Sequence, residues 1–190
     1  MKARCKWAGD DPIYIEYHDK EWGVPVHDDI KHFELIILEG AQAGLSWITI
    51  LKRRENYRRA FDNFDLEKVA RYNQDKINDL LSDRGIIRNR RKIEAAVANA
   101  KAFIKIQQEF GSFDKFIWRF VSGKQKQNNF RDLSEVPAKS DESDKMSMEL
   151  KKRGFRFVGS TICYAYMQSA GLVNDHVLDC FRHDEVQMGN

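Results

Sequence analysis

An all-α fold is predicted by three features of this 190-residue sequence. Apolar residues recur at i, i+3, i+4 and i+7 in segment after segment, the spacing of one helix face. Residues that cap helix N-termini stand just ahead of several of these runs. The one strand-like run, Phe155-Arg156-Phe157, has no second run to pair with. Hydrophobic residues make up 42% of the chain and aromatics 12%. That content supports a real core, and the length suits one domain or one domain with a minor lobe.

In chain order, Phe33, Ile36, Ile37 and Gly40 share a helix face behind a cap at Asp28 or Asp29, and Leu35 and Leu38 make this helix apolar almost all round. Gly40 and Gly44 weaken or end it. Ser46 stands at the cap position of the next helix, which runs through Ile48 and Leu51 to about Phe61. Further helices are predicted near 66–72, 75–81, 91–110 and 112–121. Residues 122–144 are polar and turn-rich and read as a surface connection. Helices resume over 143–153 and 160–170.

Composition narrows the class. No apolar run reaches the roughly 20 residues that span a bilayer, and the start, Arg4-Cys5-Lys6-Trp7, carries no apolar signal stretch. A cytoplasmic protein without membrane contact is expected. Three cysteines, Cys5, Cys163 and Cys180, cannot all pair within the chain, which favours metal binding or buried thiols over disulfides. The net charge is only +3, but the basic residues are clustered. Lys52-Arg53-Arg54 stands with Arg58-Arg59; Arg84, Arg88, Arg90, Arg91 and Lys92 form a run without acids; Lys151-Lys152-Arg153 stands with Arg156. Such segregation suits a polyanion-facing surface, and solvated helix faces are the competing reading.

Residues 75–101 read as helix, hairpin and helix. Gly85 permits a tight turn, Ile86 and Ile87 anchor the hairpin, and the second helix begins among arginines, where backbone N–H groups can hold a phosphate. A familiar second glycine is replaced by Ile87, so an ordinary basic αα-hairpin competes. Between two apolar helices, Gly44-Leu45 puts a leucine where a tip usually carries polar residues. An apolar tip can wedge into a base stack, or Leu45 can pack back on its own helices.

Glu39 follows Leu35-Ile36-Ile37-Leu38. A carboxylate there either enters a polar pocket or sits at the helix edge in water, because burying it unpaired costs several kcal/mol. Trp7, Tyr14, Tyr17, Trp22 and Trp47 crowd the first 47 residues. Aromatic clusters are usually core, yet ring faces beside a carboxylate suit a flat cation. Cys5 and His18 near one end, with His176 and Cys180 near the other, offer a tetrahedral Zn²⁺ set of the closed, structural kind. The spacing 176 to 180 puts the second pair on one face if that stretch is helical. His27, His32 and His183 are spare candidates, and a core histidine with an inert cysteine is the alternative.

Taken together, these blocks resemble the bacterial 3-methyladenine DNA glycosylase I family. The resemblance spans nearly the whole chain and is densest at Asp11-Pro12-Ile13-Tyr14-Ile15-Glu16-Tyr17-His18-Asp19, Glu21-Trp22-Gly23-Val24-Pro25, Leu38-Glu39-Gly40-Ala41-Gln42-Ala43-Gly44-Leu45-Ser46-Trp47, Gly85-Ile86-Ile87-Arg88 and Gly159-Ser160-Thr161-Ile162-Cys163-Tyr164. It implies a helix–hairpin–helix glycosylase fold with a zinc site joining the N- and C-terminal segments. One domain over 1–190 is expected, with a helical core at about 27–125 and a zinc-stapled lobe from 1–26 and 145–190. By resemblance, Glu39 meets the amino edge of the flipped base or orients the water. Trp47 and Tyr17 stack on the base, and Trp7 and Tyr14 complete the pocket. Gly44 and Leu45 form the wedge, and residues 84–92, with Gly85, Arg88 and Arg90, hold phosphates. One structural zinc sits on Cys5, His18, His176 and Cys180. The expected partner is double-stranded alkylated DNA, the product free 3-methyladenine, and the enzyme a monomer. A damage-binding module without catalysis and a zinc-dependent hydrolase are the alternatives. The tail after Cys180 resembles the family least.

Overall fold

The computed structural model describes residues 3–188, and among these the chain is helical almost throughout. Its first helix, α1 (Pro12–Lys20), starts at Pro12 with Asp11 as cap, whose carboxylate accepts from the Ile13 N–H. A proline with φ preset for the first helical turn explains the sharp start. Helix α2 (Asp29–Gln42) is capped by Asp28, which accepts from Lys31 N–H at 2.7 Å. Residues 32 to 41 of α2 are all buried. The all-round apolar pattern is therefore that of a central helix, packed against α3, α7, α8 and α10.

The predicted helix from Ser46 to Phe61 is instead two, α3 (Trp47–Leu51) and α4 (Arg54–Ala60). Ser46 does not cap the backbone, because its hydroxyl pairs with that of Thr49 at 2.8 Å. Then come α5 (Leu66–Ala70), α6 (Gln74–Ser82) and α7 (Arg90–Phe110). Helix α7 ends at Gly111 in the left-handed conformation. The segment predicted over 112–121 is α8 (Phe113–Ile117) followed by a 3₁₀ turn. Asp29, at the start of α2, accepts from the Phe113 and Asp114 N–H groups and so caps α8 in turn. Through the centre, Phe33 meets Phe103 edge-on with ring centroids 5.5 Å apart, and Phe103 stacks on Phe113 at 4.0 Å.

Helices α9 (Asp141–Lys152) and α10 (Ser160–Ser169) close the back of α2. Phe155–Phe157 is not a strand; Phe157 takes a left-handed φ of 54°. The one sheet among the described residues is a parallel pair the sequence did not announce, β1 (Lys126–Gln127) with β2 (Val173–Asn174). After β2 the chain turns and ends in α11 (Arg182–Met188). No helix of the described residues is long and apolar enough to cross a membrane.

Candidate active site and metal cluster

The predicted pocket residues converge. A cavity of about 310 Å³ is lined by Trp7, Tyr14, Tyr17, Trp22, Glu39 and Trp47, with Gln42, Leu133, Val136, Ala165 and Gln168 completing its wall. The rings form a continuous cage: Trp7 to Tyr14 at 5.2 Å, Trp7 to Trp22 at 5.0 Å and Tyr17 to Trp47 at 5.5 Å between centroids. The indole N–H groups of Trp7 and Trp47 are buried with no hydrogen-bond partner among the described residues. Buried donors normally find one, so these two suit a ligand.

Glu39 is 4% exposed, which excludes the helix-edge reading. No cation of the described residues pairs with it, and burial lifts its pKa from 4.5 to about 8, opposed by a hydrogen bond from Ser169. A second buried carboxylate on α2 shows the usual solution. Glu34 accepts from Arg58 at 2.8 Å and lies 3.6 Å from Lys31. Same helix, same depth, opposite outcome: only Glu39 faces the cavity unpaired.

The lip carries the expected tip. Gly44 has a φ of 80°, a conformation that a side chain disfavours, and Leu45 beside it is 41% exposed. Leu45 thus does not pack back. The hairpin links α6 to α7 through residues 83–89. Gly85 is needed there for closeness rather than for a left-handed turn, since a Cβ would stand 3.0 Å from Asn56 and from the Asp83 carboxylate. Asn89 caps α7.

The basic clusters separate into two kinds. Arg54 clasps Glu21 at 2.7 and 2.8 Å, Lys52 meets Asp11, and Arg58 meets Glu34 and Glu55, so three of the first cluster's five cations are engaged by carboxylates, while Arg53 bonds the Thr49 carbonyl and Arg59 bonds Asn56. Arg153 is likewise held by Glu109 and Glu149. In the hairpin, Arg84, Arg88 and Arg91 are exposed and meet no carboxylate of the described residues, while Arg90 reaches Asn78 at 2.9 Å and Glu94 at 3.6 Å. Lys92 departs from its neighbours and turns inward.

Behind Trp7 and Trp22 lies the second cluster. Cys5, His18, His176 and Cys180 are all buried, with their donor atoms within 4.8 Å of one another. Cys180 Sγ is 3.4 Å from His18 Nε2 and 3.5 Å from His176 Nδ1, and Cys5 Sγ is 3.6 Å from His176 Nδ1. Zinc bonds of about 2.3 Å to sulfur and about 2.05 Å to nitrogen at a tetrahedral angle require sulfur–nitrogen separations of roughly 3.6 Å. The four residues therefore could hold a metal ion. The free nitrogen of each ring is fixed as second partners of metal ligands usually are: His18 Nδ1 pairs with Asp19 at 2.8 Å, itself clasped by Arg4, and His176 Nε2 donates to the Trp22 carbonyl at 2.9 Å. Each thiol shifts the other: hydrogen bonding to Cys180 raises Cys5, and hydrogen bonding from Cys5 lowers Cys180.

The condition of a helix over 176–180 is not met; the stretch is a turn closed by Cys180 N–H on the Val177 carbonyl at 2.8 Å. His27, His32 and His183 serve elsewhere: His32 joins Tyr166 to Asp114, His27 meets the same Asp114, and His183 meets Gln127 and Asp184. Cys163 is an inert buried thiol, pushed up to about 12 by burial.

Sequence reasoning left several lining residues out of the site. Trp22 stood in the aromatic cluster without a role. Gln42 lies three residues after Glu39 and shares its face, as Ala165 and Gln168 share a face of α10. Leu133 and Val136 belong to the polar connection, which gave no signal.

A basic hairpin, an exposed apolar tip and an aromatic pocket with a buried carboxylate define the helix–hairpin–helix class of DNA glycosylases. The comparisons agree and narrow the class. A family model described as methyladenine glycosylase matches residues 7–183. DNA-3-methyladenine glycosylase 1 of Escherichia coli (strain K12) is 52% identical over 177 residues, 93% of this chain and 95% of that protein. A crystal structure of 3-methyladenine DNA glycosylase I matches with a TM-score of 0.92 at 50% identity, covering 94% of this chain and 98% of that one. A Staphylococcus aureus 3-methyladenine DNA glycosylase I, solved for the structural basis of its 3-methyladenine recognition, matches with a TM-score of 0.91 at 39% identity over 94% of this chain and 95% of that one. The chain belongs to the methyladenine glycosylase family.

Proposed function

We propose that this chain removes 3-methyladenine from alkylated double-stranded DNA, acting as a monomer of one glycosylase domain in which the lobe of residues 1–26 and 145–190 closes the pocket against the core at about 27–125. The observation that carries this reading is Glu39, a carboxylate with no cation of the described residues beside it inside a cage of ring faces. Methylation at N3 gives the adenine a formal positive charge. Such a base supplies the missing counterion and lays a flat cation on the rings. Neutral adenine supplies neither.

Arg88 and Arg90, with the backbone at Gly85 and the start of α7, would grip one strand. Leu45 beside Gly44 would fill the gap left by the extruded nucleotide. Tyr17 and Trp47 would stack on the base, Trp7 and Tyr14 complete the slot, and Glu39 would accept from the exocyclic amino group. The bond from C1′ to N9 breaks, its electron pair stays with the base, and water adds at C1′ as its proton passes to solvent. Because a charged base leaves readily, extrusion, recognition and water orientation carry the catalysis. Among the described residues no lysine lines the pocket, which argues against a Schiff-base step. The neutral product loses its attraction to Glu39 and departs.

Cys5, His18, His176 and Cys180 would hold one structural zinc ion per chain. Bound there, the ion supplies folding energy and no chemistry, since four protein ligands leave no open position.

Methylated duplex DNA is incubated with the protein and released bases are separated by chromatography. Free 3-methyladenine with an abasic site is the expected result. DNA binding without base release would favour a damage-binding module. Loss of turnover on chelation with the fold intact would favour a zinc hydrolase.

A further inference from the structure

Lys92 belongs by sequence to the basic run of the hairpin, yet its ammonium faces the protein. It lies in the first turn of α7, two residues after Arg90, with its backbone N–H bonded to the Asn89 cap. Its Nζ donates to the carbonyls of Ala41 at 2.8 Å and Ala43 at 2.7 Å. No carboxylate of the described residues accompanies it. Ala41 lies in the last turn of α2 and Ala43 is its C-terminal cap, at the negative end of that helix's dipole. Gly44 and Leu45 come next in the chain, and Glu39 stands two residues before Ala41.

The position is singular among its neighbours. Arg84, Arg88 and Arg91 point into solvent and stay available to phosphates. Lys92 alone crosses from the hairpin to the tip. The tip has little else to hold it: a Cβ built on Gly44 finds nothing within 4 Å, and Leu45 keeps one backbone bond, from its N–H to the Gln42 carbonyl at 2.6 Å.

We propose that Lys92 is a positioning residue that ties the Gly44–Leu45 tip to the phosphate-gripping end of α7. Seating the hairpin on a strand then delivers Leu45 to the base stack in the same movement. This rests on the glycosylase reading above. The ammonium fixes the tip's height and direction relative to the backbone contacts, and a wedge must have both to enter the right step. It touches neither base nor phosphate.

The test compares Lys92→Met, which keeps the stem and loses both hydrogen bonds, with Lys92→Arg, whose guanidinium can reach both carbonyls. In single-turnover excision from methylated duplex, K92M is expected to fall at least tenfold and K92R to stay within threefold of the parent. Fluorescence of 2-aminopurine placed beside the lesion, a reporter of extrusion, falls with it. Two further readouts stay still. Affinity for free 3-methyladenine remains within twofold, and the slope of log Kd against log salt is unchanged. Undiminished extrusion in K92M overturns the proposal. So does a parallel loss of free-base affinity, the mark of a merely structural role. So does a salt slope lower by about 0.9, the mark of a lost phosphate contact. If the parent protein releases no base, the glycosylase reading fails, and the extrusion signal still judges Lys92.

Discussion

Two buried polar clusters lie back to back in this protein, separated by Trp7 and Trp22. On one side, the rings of His18 and His176 lie 5.3 Å from Trp7 and 4.7 Å from Trp22, and each histidine has a fixed second partner. On the other side the same two indoles line a cavity where, among the described residues, Glu39 has no counterion, and the buried N–H groups of Trp7 and Trp47 in its wall have no acceptor. Both clusters put polar atoms out of water, which is costly unless something completes them. They differ in what does so. The Cys and His side chains can be completed by an ion held permanently, so their burial becomes folding energy. The pocket can be completed only by a visitor, so its burial is a standing strain on the empty protein, released by the right ligand. On the function proposed above, one wall would serve stability on its back and selectivity on its front.

The largest effect should come from the metal side. Chelation, or Cys180→Ser, is expected to abolish cooperative folding near physiological temperature, because structural zinc contributes on the order of 10 kcal/mol. Thermal melts with metal analysis check this. An unchanged melt would dissolve the contrast between the two clusters.

Glu39→Gln should split activity from stability. Excision is expected to fall at least tenfold, about 1.4 kcal/mol of barrier. The stability effect runs the other way. With a folded pKa near 8 against 4.5, the native state keeps a proton that the unfolded chain releases over that range. Glu39 thus costs nothing below about pH 4 and destabilises increasingly as pH rises towards 8. The variant should melt higher at pH 8 and the same at pH 4, by about 2–4 °C for each kcal/mol relieved. A lower melting temperature at pH 8 would show that Glu39 is paired after all.

Smaller effects belong to the surfaces around the pocket. Arg88→Ala should weaken DNA binding several-fold on every sequence and reduce the salt slope by about 0.9. Arg90→Ala should do less, since Asn78 and Glu94 already engage Arg90. Filter-binding titrations at several salt concentrations measure both. Leu133, 37% exposed on the pocket's outer wall, should matter least: Leu133→Ser is expected to weaken binding of free 3-methyladenine by roughly 1 kcal/mol, about fivefold, read by calorimetry.

Much of this was legible in the sequence because it rests on local chemistry. The periodicity of α2 gave a buried helix, and the excess of aromatics before residue 48 gave the cage. The two Cys–His pairs pointed to the buried cluster that could hold a metal ion, brought together by a turn and not a helix between His176 and Cys180. Asp11-Pro12 is a local start signal for α1, a cap followed by a proline in the first turn. What stayed hidden depends on partners far along the chain. Whether an arginine is free or spent is decided by a distant carboxylate, as with Arg54 and Glu21, 33 positions apart. The wall formed by Leu133 and Val136 is similar. Its segment is held by Asn128 on Asp175 and by Phe130 on Leu178, contacts that only the folded chain brings together.

The central claim is that a caged carboxylate without a counterion selects a charged purine. The pH dependence of kcat/KM for excision of 3-methyladenine from duplex DNA reports the free enzyme's groups and tests this most directly. The account predicts a rate that climbs with pH and levels off near 8 as Glu39 ionises, with that rising limb missing from the slower Glu39→Gln enzyme. A limb that survives the substitution, or a rate indifferent to it, would contradict the claim.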